Sequence, residues 1–255
     1  MNDRQKNRRP ASGWEIENKF FTQQRMLVYG CAAVVAYAAG LAWLVIRPKG
    51  YSGSGLGPCN DFDWIWLSSR FALSHALDLA YNYSAFTAAD VSVFGSPHCV
   101  LEHFDYPPTL LLFTYPFGFL PYPIAFAGWL IATLLVYLTA VYAVIPSLVA
   151  VIGALTIYPV LFNVLAGHNG FLTAGLLGLA LVFSEGRPWL AGIFIGLLSY
   201  KPQFGILFPL ALLFSRNWRA FLGAVVTSVL FAAGAAIAFG SKTWPAFFGA
   251  LASRG

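Results

Sequence analysis

The stretch Ile124–Val144, IAFAGWLIATLLVYLTAVYAV, decides the fold: twenty-one consecutive residues without a charge. It lies inside a longer interval, Tyr106 to Ser184, that contains no Asp, Glu, Lys or Arg at all. At ~1.5 Å per residue such a helix crosses the ~30 Å hydrocarbon core of a bilayer. The whole chain has the same character, with 58% hydrophobic residues, 17% aromatic residues and only 10% charged residues, and a mean hydropathy of +0.68. Most of it has hydrocarbon as its natural solvent. Backbone polar groups must be satisfied internally in lipid, and the apolar runs are near ~20 residues rather than alternating in ~10-residue segments. The expected fold class is therefore all-α, a polytopic transmembrane helix bundle with extracytoplasmic interfacial helices.

Charge sets the expected orientation. Arg4, Lys6, Arg8, Arg9, Lys19 and Arg25 precede the apolar run Met26–Ile46, which is too long for a signal-peptide core and reads as a retained anchor. Residues 1–25 are then a basic cytoplasmic N-terminus that orients the first span, 26–46, and touches anionic lipid. No nucleic-acid partner is implied. The loop and interfacial region 47–122 follows, holding six of the ten acids (Asp61, Asp63, Asp78, Asp90, Glu102 and Asp105). A helix bundle, 123–255, completes the chain. Thr109–Leu120 is too short to cross and is expected to lie in the membrane surface. Spans are expected near Ile124–Val144, Leu148–Ala166, Phe171–Phe183 and Trp189–Tyr200, with two more flanking Ser215–Arg219. That parity places Arg187, Arg216 and Arg219 inside, and His168 and Lys201 outside.

Asp61 is the candidate catalytic base. It opens Asn60-Asp61-Phe62-Asp63-Trp64-Ile65-Trp66, and Phe62–Ala80 has the spacing of an amphipathic helix lying in the interface with Trp64 and Trp66 at headgroup depth. At the helix start, the dipole and free N–H groups favour an ionised carboxylate. The bland alternative is that Asp61 is an N-cap. Lys201, His168, Asn169 and Gln203 are expected on the same face, where a cation stabilises a phosphate leaving group and a carboxylate takes a proton from a hydroxyl. Lys201 alone reads as readily as a snorkelling lysine. Tyr106-Pro107-Pro108 suits a helix start. His98, His103, Glu102 and Asp105 match no helix-borne metal motif, so no metal and no cofactor is expected. Cys59 and Cys99 share the outer loop, where an oxidising compartment would permit a bridge, while Cys31 in the first span should stay free. There is no Gly-rich nucleotide cradle, Ser/His/Asp order or Cys-x-x-Cys pair.

Four elements, Asp61-Phe62 with Trp64 and Trp66, Tyr106-Pro107-Pro108, Gly167-His168-Asn169-Gly170 and Tyr200-Lys201-Pro202-Gln203, occur in the order in which glycosyltransferase family 87, of the GT-C superfamily, carries them. The chain resembles that family over most of its length, with His168 standing where glutamine is usual. The resemblance implies a GT-C type bundle in the plasma (inner) membrane. It implies an inverting hexosyltransferase, mannosyltransferase-like, that moves a sugar from a polyprenyl-phosphate donor to a glycan or glycolipid acceptor on the outer side. Asp61 would be the base. Lys201, His168, Asn169, Gln203, Tyr106 and Asp63 would bind substrate, and an apolar groove would hold the prenyl chain. Family members continue further, so the chain reads as C-terminally truncated within a helix begun at Trp244–Ala252. A transporter or flippase for a lipid-linked substrate, and a non-catalytic subunit of an envelope complex, are the alternative readings. No pair of broken helices in matching halves speaks for the first.

Overall fold

Helix after helix follows from the apolar runs. The computed structural model describes residues 22–46, 61–94 and 104–253, among which no strand occurs. In chain order the helices are α1 (Gln23–Ile46), α2 (Asp61–Leu73), α3 (Tyr83–Phe94), α4 (Leu111–Thr114), α5 (Tyr122–Val144), α6 (Leu148–Leu155), α7 (Tyr158–Ala166), α8 (Gly170–Phe183), α9 (Pro188–Leu197), α10 (Pro202–Phe214), α11 (Trp218–Phe239) and α12 (Thr243–Ala252). Cys59, Cys99, His98, Glu102 and His103 lie outside the described residues. Cys31, within α1, is a free thiol.

α5 and α11 are each long and apolar enough to cross a membrane, and α6 with α7 makes a third crossing if that pair, bent by 58°, is one span. The bend falls where Ile157 is extended and Pro159 occupies the first turn of α7, a place where the missing proline N–H breaks the ladder at little cost. α8 and the stretch Pro188–Tyr200 are apolar but only 14 and 13 residues long. At about 1.5 Å per residue neither exceeds ~21 Å, so these two expected spans are shorter than the hydrocarbon core.

α5, α8, α9 and α11 pack side by side in that order. Small residues set the spacing. A Cβ on Gly175 of α8 would lie 2.8 Å from the Val136 backbone of α5, and one on Gly192 of α9 would lie 2.4 Å from the Ala220 carbonyl of α11. Gly196 meets the Ala224 carbonyl in the same way, at 2.7 Å. Lipid tails are as apolar as leucine, so helices in a bilayer gain from such close backbone approach rather than from burying oil.

Two sequence expectations change here. α2 does not lie half-immersed: Phe62, Asp63, Ile65, Trp66, Leu67, Ser68, Ser69 and Ala72 are all buried. The reason is aromatic. Phe62 stacks on Trp129 of α5 at 6.2 Å and meets Phe126 edge-on at 5.5 Å, while Trp66 meets Tyr122 at 5.5 Å, and the Trp66 indole N–H donates to the Leu120 carbonyl. The apolar face of this helix found protein instead of lipid. α2 also ends early, because His75 takes a positive φ of 55°.

The second change concerns Thr109–Leu120. It is not one surface helix but three short helical pieces, with 3-10 turns at Pro108–Leu110 and Tyr115–Phe119 on either side of α4. Pro108 and Pro116 open these turns. Thr109, Leu110, Leu111 and Thr114 are buried, and the segment packs against α2 on one side and α11 on the other.

The glycine seam is testable. Gly192→Ala should lower the thermal midpoint in detergent, in line with an overpacking cost of ~1–3 kcal/mol. Gly153→Ala, where an added Cβ meets nothing within 4 Å, should leave the midpoint unchanged or raise it. Equal midpoints for both variants would show that the seam does not hold α9 on α11.

Candidate active site

Three breaks in helix meet at one place. The first is the start of α2, whose first residue is Asp61. The second is the turn between α7 and α8, where Gly167 takes the left-handed conformation (φ 62°) and its N–H caps α7 on the Asn163 carbonyl, a conformation glycine enters without steric penalty. The third is the 3-10 turn Leu198–Tyr200, which ends in Lys201 ahead of α10.

The second and third breaks are tied together by buried hydrogen bonds. The Thr173 hydroxyl is 2.9 Å from the Asn169 carbonyl, to which it donates, and 2.8 Å from the Tyr200 hydroxyl. Tyr200 itself is fully buried, so Lys201 leaves from an anchored neighbour. Tyr106 is held from the other side, its carbonyl accepting from the Tyr81 hydroxyl at 2.9 Å.

The first break joins through charge. Asp61 Oδ2 pairs directly with His168 Nδ1, and the His168 ring rests on Phe162, centroids 5.3 Å apart. Burial pushes the Asp61 carboxyl above its ordinary value, while His168 and the Lys201 ammonium pull it back. Burial wins. The sequence expectation that the helix start would favour the ionised form is thus outweighed by lost solvent, and the result is a carboxylate more basic than usual. Lys201 is shifted the opposite way, lowered by burial and partly restored by Asp61. The Tyr106 hydroxyl is pushed up to about 12, by burial first and by the Asp61 charge second, so it stays protonated and available as a donor.

A cavity of about 480 Å³ opens among these groups. Asp61, Tyr106, His168, Asn169 and Lys201 line it, with Tyr137, Ile157, Val160 and Phe171 as apolar wall. An apolar pocket of about 220 Å³ adjoins it through Tyr137 and Ala174 and runs along α5 past Ala140 and Val141 to Ile145. A polar head and an apolar extension are what an amphiphilic ligand needs.

Five of the seven candidate residues therefore share one cavity. Gln203 is exposed in the first turn of α10 and does not line it. Asp63 is fully buried and accepts a hydrogen bond from the Tyr122 hydroxyl, so it fastens α2 to α5; the helical 100° step per residue turns it away from the face that Asp61 shows. Sequence reasoning missed Asn163 and Tyr137. Asn163 carried a usable signal, a lone carboxamide inside an apolar span. Tyr137, one aromatic among many and stacked on Phe171 at 5.5 Å, carried none.

A helical membrane-protein bundle with an acid and a cation lining one cavity and an apolar pocket beside it is the class so defined. The sequence pattern of Glycosyltransferase family 87 matches residues 104–255, and the chain belongs to that family. No curated protein and no solved structure matches it. The matched segment holds Tyr106, His168, Asn169 and Lys201 and begins after Asp61. Membership makes the protein a membrane glycosyltransferase by family.

The Thr173–Tyr200 bond should be measurable. Tyr200→Phe removes one buried hydroxyl and should lower unfolding free energy by about 1 kcal/mol, read by chemical or thermal unfolding in detergent micelles. A variant as stable as the parent would mean that this bond does not join the two turns.

Proposed function

We propose that the cavity transfers a hexose, mannose in the nearest family sense, from a polyprenyl-phosphate carrier to a hydroxyl of a glycan or glycolipid acceptor, with Asp61 as general base. The observation that carries this reading is the meeting of Asp61, from ahead of the family-matched segment, with Lys201 and His168 from within it, around a cavity that continues into an apolar pocket. The acceptor hydroxyl gives its proton to an Asp61 oxygen as its own oxygen bonds the anomeric carbon. The bond from that carbon to the phosphate oxygen breaks, and the electron pair leaves with polyprenyl phosphate. One displacement inverts the anomeric centre. Lys201 opposes the charge that develops on the leaving oxygen, and His168 holds the Asp61 carboxylate in one orientation. The prenyl chain lies along Ala140, Val141 and Ile145. No metal ion or cofactor is part of this scheme.

Orientation follows from the arginines. α8 and α10 both start at the cavity and run away from it, ending before Arg187 and Arg216, and the Asn217 side-chain N–H donates to the Ser184 carbonyl at 3.1 Å to join those two far turns. Arg187, Arg216 and Arg219 thus gather at the end opposite Asp61. Arginines mark the cytoplasmic side, which supports an N-terminus inside and a cavity facing out from the plasma membrane.

Asp61→Asn keeps the size and removes the base. Transfer from polyprenyl-phosphate mannose in membranes should fall by ~10²–10⁴-fold, with donor binding retained. Unchanged transfer would end the base assignment, and lost donor binding would favour a structural role.

The pH profile of kcat/KM is a second check. Asp61 must be deprotonated, so activity is lost as pH falls through its raised value. Lys201 must be protonated, so activity is lost as pH rises through its lowered value. The expected bell is narrower than ordinary Asp and Lys would give, and Lys201→Arg should move the alkaline limb upward because guanidinium stays charged. A flat profile across both limbs would overturn these roles.

A further inference from the structure

Asn163 has no part in the scheme above, yet its carboxamide is built into the cavity wall. It is 6% exposed on α7, and its Nδ2 has no hydrogen-bond partner among the described residues. Its position is specific: a Cβ on Gly170 would lie 2.3 Å from Asn163 Oδ1, so the glycine that opens α8 leaves the room this side chain occupies. Asn169, 2% exposed, also lines the cavity, with its side-chain amide directed at the Tyr106 hydroxyl. Buried amide donors without partners are uncommon in folded proteins, and one on a cavity wall that also carries a second carboxamide points to a ligand that completes it.

The chemistry of the pair selects the ligand group. Each carboxamide offers two N–H donors and one carbonyl acceptor. A phosphate at pH 7 only accepts, so it can engage the amide N–H groups but not the amide carbonyls. A sugar hydroxyl donates and accepts, and so satisfies both ends of the amide. The charge for a phosphate is already supplied by Lys201. We propose that Asn163 and Asn169 form a neutral amide pair that hydrogen-bonds ring hydroxyls of the donor sugar, making Asn163 a determinant of which epimer is accepted. The proposal rests on the sugar-transfer reading of the cavity and adds to it how the sugar is told apart.

Asn163→Leu removes the amide at nearly constant size, and Gly170→Ala keeps Asn163 but drives its carboxamide from its place. Transfer is measured with polyprenyl-phosphate donors carrying mannose, glucose or galactose, and binding with the same donors and with sugar-free polyprenyl phosphate, after melting curves establish that each variant is folded. Both variants should lose about 10-fold or more in kcat/KM for the preferred donor, the ratio between epimers should narrow, and affinity for sugar-free polyprenyl phosphate should not change. An unaltered epimer ratio in a folded variant, or an equal loss of affinity for the sugar-free carrier, overturns the proposal. Should the parent protein transfer none of the three sugars, it is the transferase reading that fails. The amide pair is then judged by binding alone, standing if the parent prefers sugar-bearing to sugar-free carrier and Asn163→Leu does not, and falling otherwise.

Discussion

A carboxylate that has lost much of its water must be held by something else, and in this chain Asp61 is held by His168 and by the field of Lys201. Those partners lie more than a hundred residues away in sequence, so the requirement acts on the whole chain. α2 must start beside the α7–α8 turn, and the Leu198–Tyr200 turn must end beside both. The Thr173–Tyr200 bond and the Tyr81–Tyr106 bond fix the turns that carry those groups. The aromatic packing of Phe62 and Trp66 on α5 fixes the helix that carries the acid. Removing the partners would leave a buried charge, whose cost is the reason such groups are found paired or neutral.

Burial has a second consequence. It raises the proton affinity of Asp61 and lowers that of Lys201, so the same loss of water makes the carboxylate more basic and the ammonium easier to discharge. Each limits the other's shift, since the two groups attract. Shifts of opposite sign on an acid and a cation that share one cavity are what functional sites commonly show.

How far the sequence announces this structure depends on the kind of signal. The uncharged run Ile124–Val144 becomes α5 within two residues at its start, because length and apolarity in lipid leave helix as the only satisfied backbone. The motif glycines and prolines mark the turns at Gly167 and Lys201, because φ > 0 and a missing N–H are properties of single residues. By contrast, the period of Phe62–Ala80 shows that one face is apolar but not what covers it, and α5 with the Tyr115–Phe119 turn covers it instead of lipid. Asp63 shows the same gap: an acid two residues from Asp61 has the right composition, and only the packing against Tyr122 takes it out of the cavity. Asn163 was visible as a polar residue in an apolar span, but its meaning comes from Gly170, seven residues on.

The helix breaks also account for where an anion is favoured. Irregular backbone at membrane depth is tolerated where it lines a cavity, since water or ligand can then satisfy it. α2, α8 and α10 all begin at that cavity, at Asp61, Gly170 and Pro202, while α7 ends there. The Leu198–Tyr200 turn that continues α9 ends there as well, so the positive end of the local backbone field comes from the N–H groups at the starts of α2 and α8, nearest Asp61 and His168. Pro202 contributes no N–H, but the dipole of α10 is unaffected by that. In the proposed transfer that field lowers the cost of keeping Asp61 ionised and of placing charge on a departing phosphate, so the proposed base and leaving group draw on one backbone arrangement even though they belong to different partners in the reaction.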